Sequence, residues 1–180
     1  MTRLHGAPVS TPPTFSDPFN VLEEMANREG WSYHFSTSST APDGMRMVVT
    51  LLGLHGDLNF FYEWDEEIQT LNVYCRIGPR VPWARKKEVR ALLDRTEKVR
   101  TAMKRRGWFD LTADDFVWFW EYLSLSDEYP TWELAIAASL SGALEHCNAL
   151  TPLFLRTAWG DSSFGKKIIR LALKEVQGTA

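Results

Sequence analysis

Residues 160–167, Gly-Asp-Ser-Ser-Phe-Gly-Lys-Lys, come within one position of a nucleotide-phosphate loop, with two glycines five apart and then lysine. Such a loop cradles phosphates with backbone N–H groups, and the residue after the lysine gives a hydroxyl to Mg²⁺. Here that residue is Lys167, and a helical pattern precedes the loop where a strand should lead in. The stretch therefore reads as a turn between helices with Asp161 or Ser162 as N-cap, and no nucleotide is expected to bind there. The other reactive side chains are no better arranged. His5, His34, His55 and His146 are scattered, and none is spaced with another His, Cys or Glu as a metal-ligand pair. Cys75 shares a strand face with Leu71, Val73 and Ile77, and Cys147 continues the stripe of Leu140 and Leu144. Both read as core thiols without a basic neighbour to activate them. Asp65-Glu66-Glu67 and Asp114-Asp115 fall in turns, where exposed carboxylates lack the contrasting environments of a general acid–base pair. The expectation is a non-enzymatic protein with no catalytic residues, no metal and no cofactor.

What remains is architecture. The chain has 180 residues, 44% hydrophobic and 13% aromatic, with eight tryptophans, which is the composition of an ordered globular protein. Residues 1–16 carry three prolines and no periodicity and read as a flexible tail, leaving 17–180 as a single domain. The longest apolar runs are too short to span a bilayer, the first residues show no secretory pattern, and two cysteines make no disulfide framework. The expected compartment is the cytoplasm, with no membrane partner.

The hydrophobic periods predict an α+β fold built on one antiparallel sheet. Asp17 or Ser16 caps a first helix whose stripe is Phe19, Leu22, Met25 and Ala26, and Gly30 stops it. Strands follow at 31–35, 45–54, 58–64 and 71–77 as a meander with short turns. Pro82 opens a long helix with the stripe Val89, Leu92, Leu93, Thr96, Val99 and Met103, and Gly107 ends it. Two more strands are expected at 108–111 and 116–123. A helix then starts after Thr131 and is kinked or broken at Pro152, and a last helix follows Ser162.

Two features point to partners. Phe116, Trp118, Trp120 and Tyr122 alternate with Val117, Phe119 and Leu123, so this strand is apolar on both faces. A sheet with one solvated face should alternate cleanly, so helices cover both sides or a partner covers one. Ala135, Ala138, Ser139 and Gly142 also form a small-residue strip on the third helix. The expected protein interface, in a two-fold homodimer, is therefore Val117, Phe119 and Leu123 with Ala135, Ser139 and Gly142, and Phe119→Glu is expected to weaken it. The second feature is charge. Net charge is −3, but 80–106 holds eleven Lys or Arg against three acids, while the rest has nine against twenty. Lys87, Lys98 and Arg105 lie off the apolar stripe as a candidate polyanion patch, although no aromatics for base stacking accompany them.

From Pro18 to Val176 the chain resembles the YbjN family of bacterial proteins, in its alphaproteobacterial branch. The resemblance is carried by NVLEEMANREGW, FFYEWDEEIQTLNVYCRI, VPWARKKEVRALL, GWFDL, the segment LTPLFLRTAWG and the final helix. It implies a fold similar to type III secretion chaperones, usually dimeric, and a role described for the family as regulation of sensory transduction. It brings no catalytic residues. VRTAMKRRGWF is longer and more basic than the short join expected before the GxF of GWF. The expected function is protein binding, as chaperone or regulator, by a homodimer. The alternative is a nucleic-acid-associated regulator acting through the basic helix 82–106.

Overall fold

The computed structural model describes residues 17–39, 44–126 and 128–160. The expected N-terminal tail, the phosphate-loop near-match beyond Gly160 and the expected last helix lie outside them. Helix α1 spans Pro18–Glu29. It starts where Pro18 supplies a preset φ and the Asp17 carboxylate accepts the Phe19 N–H at 2.9 Å. It ends at Gly30, whose φ of 71° closes the last turn. Phe19, Leu22, Met25 and Ala26 are all buried, as their spacing predicts.

Strands β1 (Ser32–Thr37), β2 (Met45–Gly53), β3 (Gly56–Asp65) and β4 (Thr70–Ile77) form the meander. A 3-10 turn at Trp83–Arg85 leads into helix α2, Lys86–Ala102. Strands β5 (Trp108–Leu111) and β6 (Val117–Leu123) follow, then helix α3, Trp132–Trp159. All pairings are antiparallel, and the strand order is β1-β2-β3-β4-β6-β5. The fold class is α+β. The second strand of the late hairpin joins the meander, so β6 is interior and β5 is an edge.

The register sorts side chains into rows. Val49, Phe60, Cys75, Phe119 and Phe109 stand opposite one another from β2 to β5. They share one core with Leu22 and Met25 of α1, Val89 and Leu93 of α2, and Leu140 and Phe154 of α3. The described helices therefore pack on a single side of the sheet. Two expectations change here. The α2 stripe is buried only at Val89, Leu92 and Leu93, whereas Val99 and Met103 are exposed because the end of the helix runs past the short β5. The helix after Thr131 is not broken: α3 runs through Pro152. Proline removes one backbone donor there, and the helix is held past it by the burial of Phe154, Leu155 and Ala158.

One acid lies inside this core. Glu121 of β6 is 3% exposed, and Ser139 of α3 donates to its Oε2 at 2.7 Å. Its Oε1 has no hydrogen-bond partner. Burial pushes the carboxyl above its ordinary value, with Ser139 and Arg106 opposing. A carboxyl raised on folding contributes stability that is complete below its ordinary value of 4.5 and is lost as pH rises through the higher folded value. Glu121→Gln is therefore expected to stabilise the protein at pH 7.5 by roughly 1 kcal/mol and to be neutral at pH 4. Urea titrations at the two pH values check this. Equal effects at both would show that Glu121 keeps its usual affinity for a proton.

Candidate functional site

The opposite side of the sheet holds the candidate site. Its central row runs His34, Val48, Phe61, Tyr74, Trp120 and Trp108 from β1 to β6 and on to β5. The next row holds Arg76, Trp118 and Asp110. Phe61, Phe116, Trp108, Trp118 and Trp120 are half-buried, Tyr122 is 60% exposed, and none of the six belongs to the core cluster. No described helix covers them. Alternation with period two places these residues together, because every second side chain of a strand points the same way.

The rings lie against one another. Phe61 and Tyr74 stack at 5.2 Å and 13°, and Tyr74 and Trp120 at 5.0 Å and 30°. Trp118 packs on both Tyr74 and Trp120, at 5.6 and 6.0 Å, and Trp108 meets Tyr122 at 5.1 Å. Cations close the flanks, with Arg46 over Phe61 at 4.9 Å and Arg76 over Phe116 at 4.7 Å. The ring faces are thus largely taken by neighbours, and edges and polar tips point outward. A base or a sugar needs a free ring face to stack on. A protein surface needs only apolar area and matched polar groups.

A buried polar knot anchors the patch. Glu63 is 5% exposed and accepts hydrogen bonds from the Tyr74 and Ser38 hydroxyls. Arg46 donates to the Tyr74 oxygen at 3.2 Å and to Ser36 at 3.2 Å. Burial, with the Glu63 carboxylate beside it and Arg46 opposing, pushes Tyr74 up to about 12. Its proton stays on the phenol at neutral pH, so Tyr74 is a fixed donor and not a base.

Elsewhere the chemistry-bearing residues are not brought together. Among the described residues no group of three or more His, Cys, Asp or Glu could hold a metal ion. Cys75 and Cys147, far apart in sequence, meet in the core, where hydrogen bonding to Cys75 and burial push the Cys147 thiol well above its usual range. Both ring nitrogens of His146 are buried without a partner, and burial followed by Arg105 lowers its pKa, so the ring favours its neutral form. An open cleft of about 750 Å³ lies between the end of α1, β2 and α3. Its floor is Met25, Leu51 and Leu140, and its rim carries Arg28, Glu29 and Asp57. It assembles no nucleophile with a base.

The expected interface residues are placed differently from expectation. Val117, Phe119 and Leu123 are fully buried under the chain's own helices, so they form core and not a docking surface. Ala135 and Ser139 are buried against the same core, Ser139 through its bond to Glu121. Gly142 is half-buried, with open space where a side chain would stand. The apolar side that no described helix covers is the other one, carrying Trp118, Trp120 and Tyr122.

The polyanion patch also comes apart. Lys87 and Lys98 are exposed on α2, but Arg105 lies beyond the helix and pairs with Glu145 of α3 at 2.7 Å. Arg80 and Lys86 pair with Asp115, Arg100 with Glu97, and Arg106 with Glu128. Six of the eleven basic residues of 80–106 are thus paired with acids of the same chain, and the pairs to Asp115, Glu145 and Glu128 tie α2 and its flanking loops to their neighbours.

The class of protein that this fold and surface define is an α+β chain whose described helices lie on one side of a six-stranded sheet, with an aromatic surface on the other. Compared with known proteins, it matches no family model and no curated relative. None of the described helices is long and apolar enough to cross a membrane.

Proposed function

We propose that this protein is a non-enzymatic, cytoplasmic protein-binding module that works as a chaperone-like protein or regulator, in keeping with its resemblance to the YbjN proteins and their role in sensory transduction. The observation that carries this reading is the aromatic side of the sheet. Six large rings stand together outside the core with no described helix over them, the kind of clustered apolar surface that marks an interaction site. Aromatic and Arg side chains are the types enriched at protein contacts, and both are concentrated here. The nucleic-acid alternative has weaker support, because the ring faces are taken up by one another and six of the eleven basic residues of 80–106 are in ion pairs.

Tyr122 is suited to a test because its exposure of 60% lets a larger side chain replace it without disturbing the core. A photo-crosslinking benzoylphenylalanine at 122, irradiated in cells, is expected to trap protein, either another copy or a different chain. The same probe at Glu66, in the exposed β3–β4 turn, is expected to trap none. Absence of any protein adduct at 122 would remove the protein-binding reading.

A further inference from the structure

The cleft between α1, β2 and α3 is apolar at its floor and acidic at its rim. Met25, Leu51 and Leu140 form the floor, and Arg28, Glu29 and Asp57 stand at the rim. Arg28 is held by Glu29 at 3.1 Å and by Glu133 of α3 at 2.8 Å, so the acids here outnumber the cation. β1 begins at Ser32, opposite Thr50, so β2 beyond that point has β3 on one side and no strand on the other. Leu52, which lines the cleft at this open edge, is 82% exposed, and Leu54 just past it is 61% exposed. The Leu54 N–H donates to Asn148 Oδ1 at 2.9 Å, one turn of α3 beyond Leu144 of the cleft wall. The mouth of the cleft therefore lies alongside α3, which shows it Ala137, Ser141 and Leu144, a spacing that forms one ridge of a helix.

We infer that the mouth of this cleft is the docking site of the chain's own segment 163–177, laid antiparallel to α3. The segment is outside the described residues, and its sequence carries the argument. Ile168, Ile169, Ala172, Leu173 and Val176 fall on one side of a helix, and Lys166, Lys167, Arg170 and Lys174 fall on the other. A short turn after Gly160, with Asp161 or Ser162 as cap, joins it to α3 as a helical hairpin. The lengths agree with this site. Leu144 lies about 24 Å back along the axis from Gly160, and a helix over 163–177 rises about 22 Å. Val176 then arrives beside Leu144, and Leu173, one turn lower, beside Leu54. The charges agree as well. The segment brings four cations and one acid, Glu175, to a rim where Glu29, Asp57 and Glu133 outnumber Arg28. The occupant is thus a basic amphipathic helix of the same chain, and a partner that drew it away would open an apolar cleft of about 750 Å³. This inference concerns the helix side of the sheet and stands apart from the protein-binding reading of the aromatic side.

The test uses the purified full chain with benzoylphenylalanine in place of Ser141, which is exposed on the cleft wall. Irradiation followed by peptide mass spectrometry is expected to link position 141 to a peptide from 163–180 of the same chain. The yield should not change with protein concentration between about 1 and 50 µM. The same probe at Glu66, at the other end of the sheet, is expected to give no such link. Leu173→Asp should lower the yield at 141 by at least about tenfold, because it sets a carboxylate against apolar surface. Leu173→Met should keep it within about twofold. Asp57→Lys should lower it about threefold at low salt and leave it unchanged at high salt, a dependence that loss of fold would not produce. A link that forms only between two chains, a link to the segment from a probe at 122 and not from 141, or no link to the segment at all overturns the inference. Protein trapped at 122 in cells, with no segment trapped at 141, would leave the protein-binding reading standing and remove this one.

Discussion

Phe119→Ala is expected to lower the unfolding free energy by about 3–5 kcal/mol, with a shift of the urea midpoint to match. Phe119 is fully buried at the centre of β6, opposite Cys75 on one side and Phe109 on the other. Its ring lies 5.3 Å from that of Phe109 and 6.4 Å from that of His146 on α3. Removing it opens a cavity between sheet and helix that close packing on three sides cannot refill. A loss of this size is a large part of the 5–15 kcal/mol that holds a typical domain together. Phe119→Glu, which the sequence suggests as a probe of dimerisation, should leave little folded protein, since it would bury a carboxylate without a partner. Near-UV circular dichroism distinguishes the outcomes. Native spectra with weakened association would place Phe119 in an interface after all, whereas loss of signal places it in the core.

Gly107→Ala is expected to cost about 2–4 kcal/mol, from two sources that can be separated. Gly107 is buried and has a φ of 71°, in the left-handed region that side chains avoid. A Cβ added there would also collide with the Phe119 ring and stand 2.9 Å from the Trp120 carbonyl oxygen. Gly30 has the same φ of 71° but nothing within 4 Å of an added Cβ. Gly30→Ala therefore measures the backbone contribution alone, about 1 kcal/mol, and the excess at Gly107 measures the clash. Thermal melts of the two variants give the difference. Equal losses would mean that the ring moves aside freely and that β6 is less tightly held than its burial indicates. The clash also couples Gly107 to Phe119, so Phe119→Leu should recover part of the loss.

These two positions and the surface behind them bear on function together. Phe119 and Trp118 are neighbours in sequence and point to opposite sides of the same strand. One holds β6 from the helix side, and the other lies on the aromatic side. A variant on the helix side is expected to change stability first, and one on the aromatic side to change association first. The two classes should separate in paired melting and photo-crosslinking measurements.

Much of the local structure is legible in the residues. The α1 stripe, its Asp17 cap and its Gly30 stop are all observed, because each is a contact within one turn or the next. The strands fall where period-two alternation places them, and a single antiparallel sheet follows from the short turns. The errors have a common source. Val99 and Met103 continue a helical stripe, but whether a stripe is buried depends on how far the sheet extends beneath it, and β5 is only four residues long. Pro152 is a local signal to kink or break a helix, and the break is overridden here by the packing of Phe154, Leu155 and Ala158. Lys87, Lys98 and Arg105 form a patch on a helical wheel, yet Arg105 leaves the helix and meets Glu145, forty residues along the chain.

The candidate site divides in the same way. By itself the sequence determined that β6 has two apolar faces, that Phe116, Trp118, Trp120 and Tyr122 share one of them, and that no familiar catalytic spacing accompanies them. It could not determine which face is core. A strand's alternation labels two sides but does not tell inside from outside when both are apolar. Only the tertiary structure decided that, because the side is set by where α1, α2 and α3 come to rest, through contacts between residues far apart in the chain. Once the helices lie over Phe60, Val73 and Phe119, the other set of rings must stand on the opposite side of the sheet, with Arg76 and Asp110 beside them.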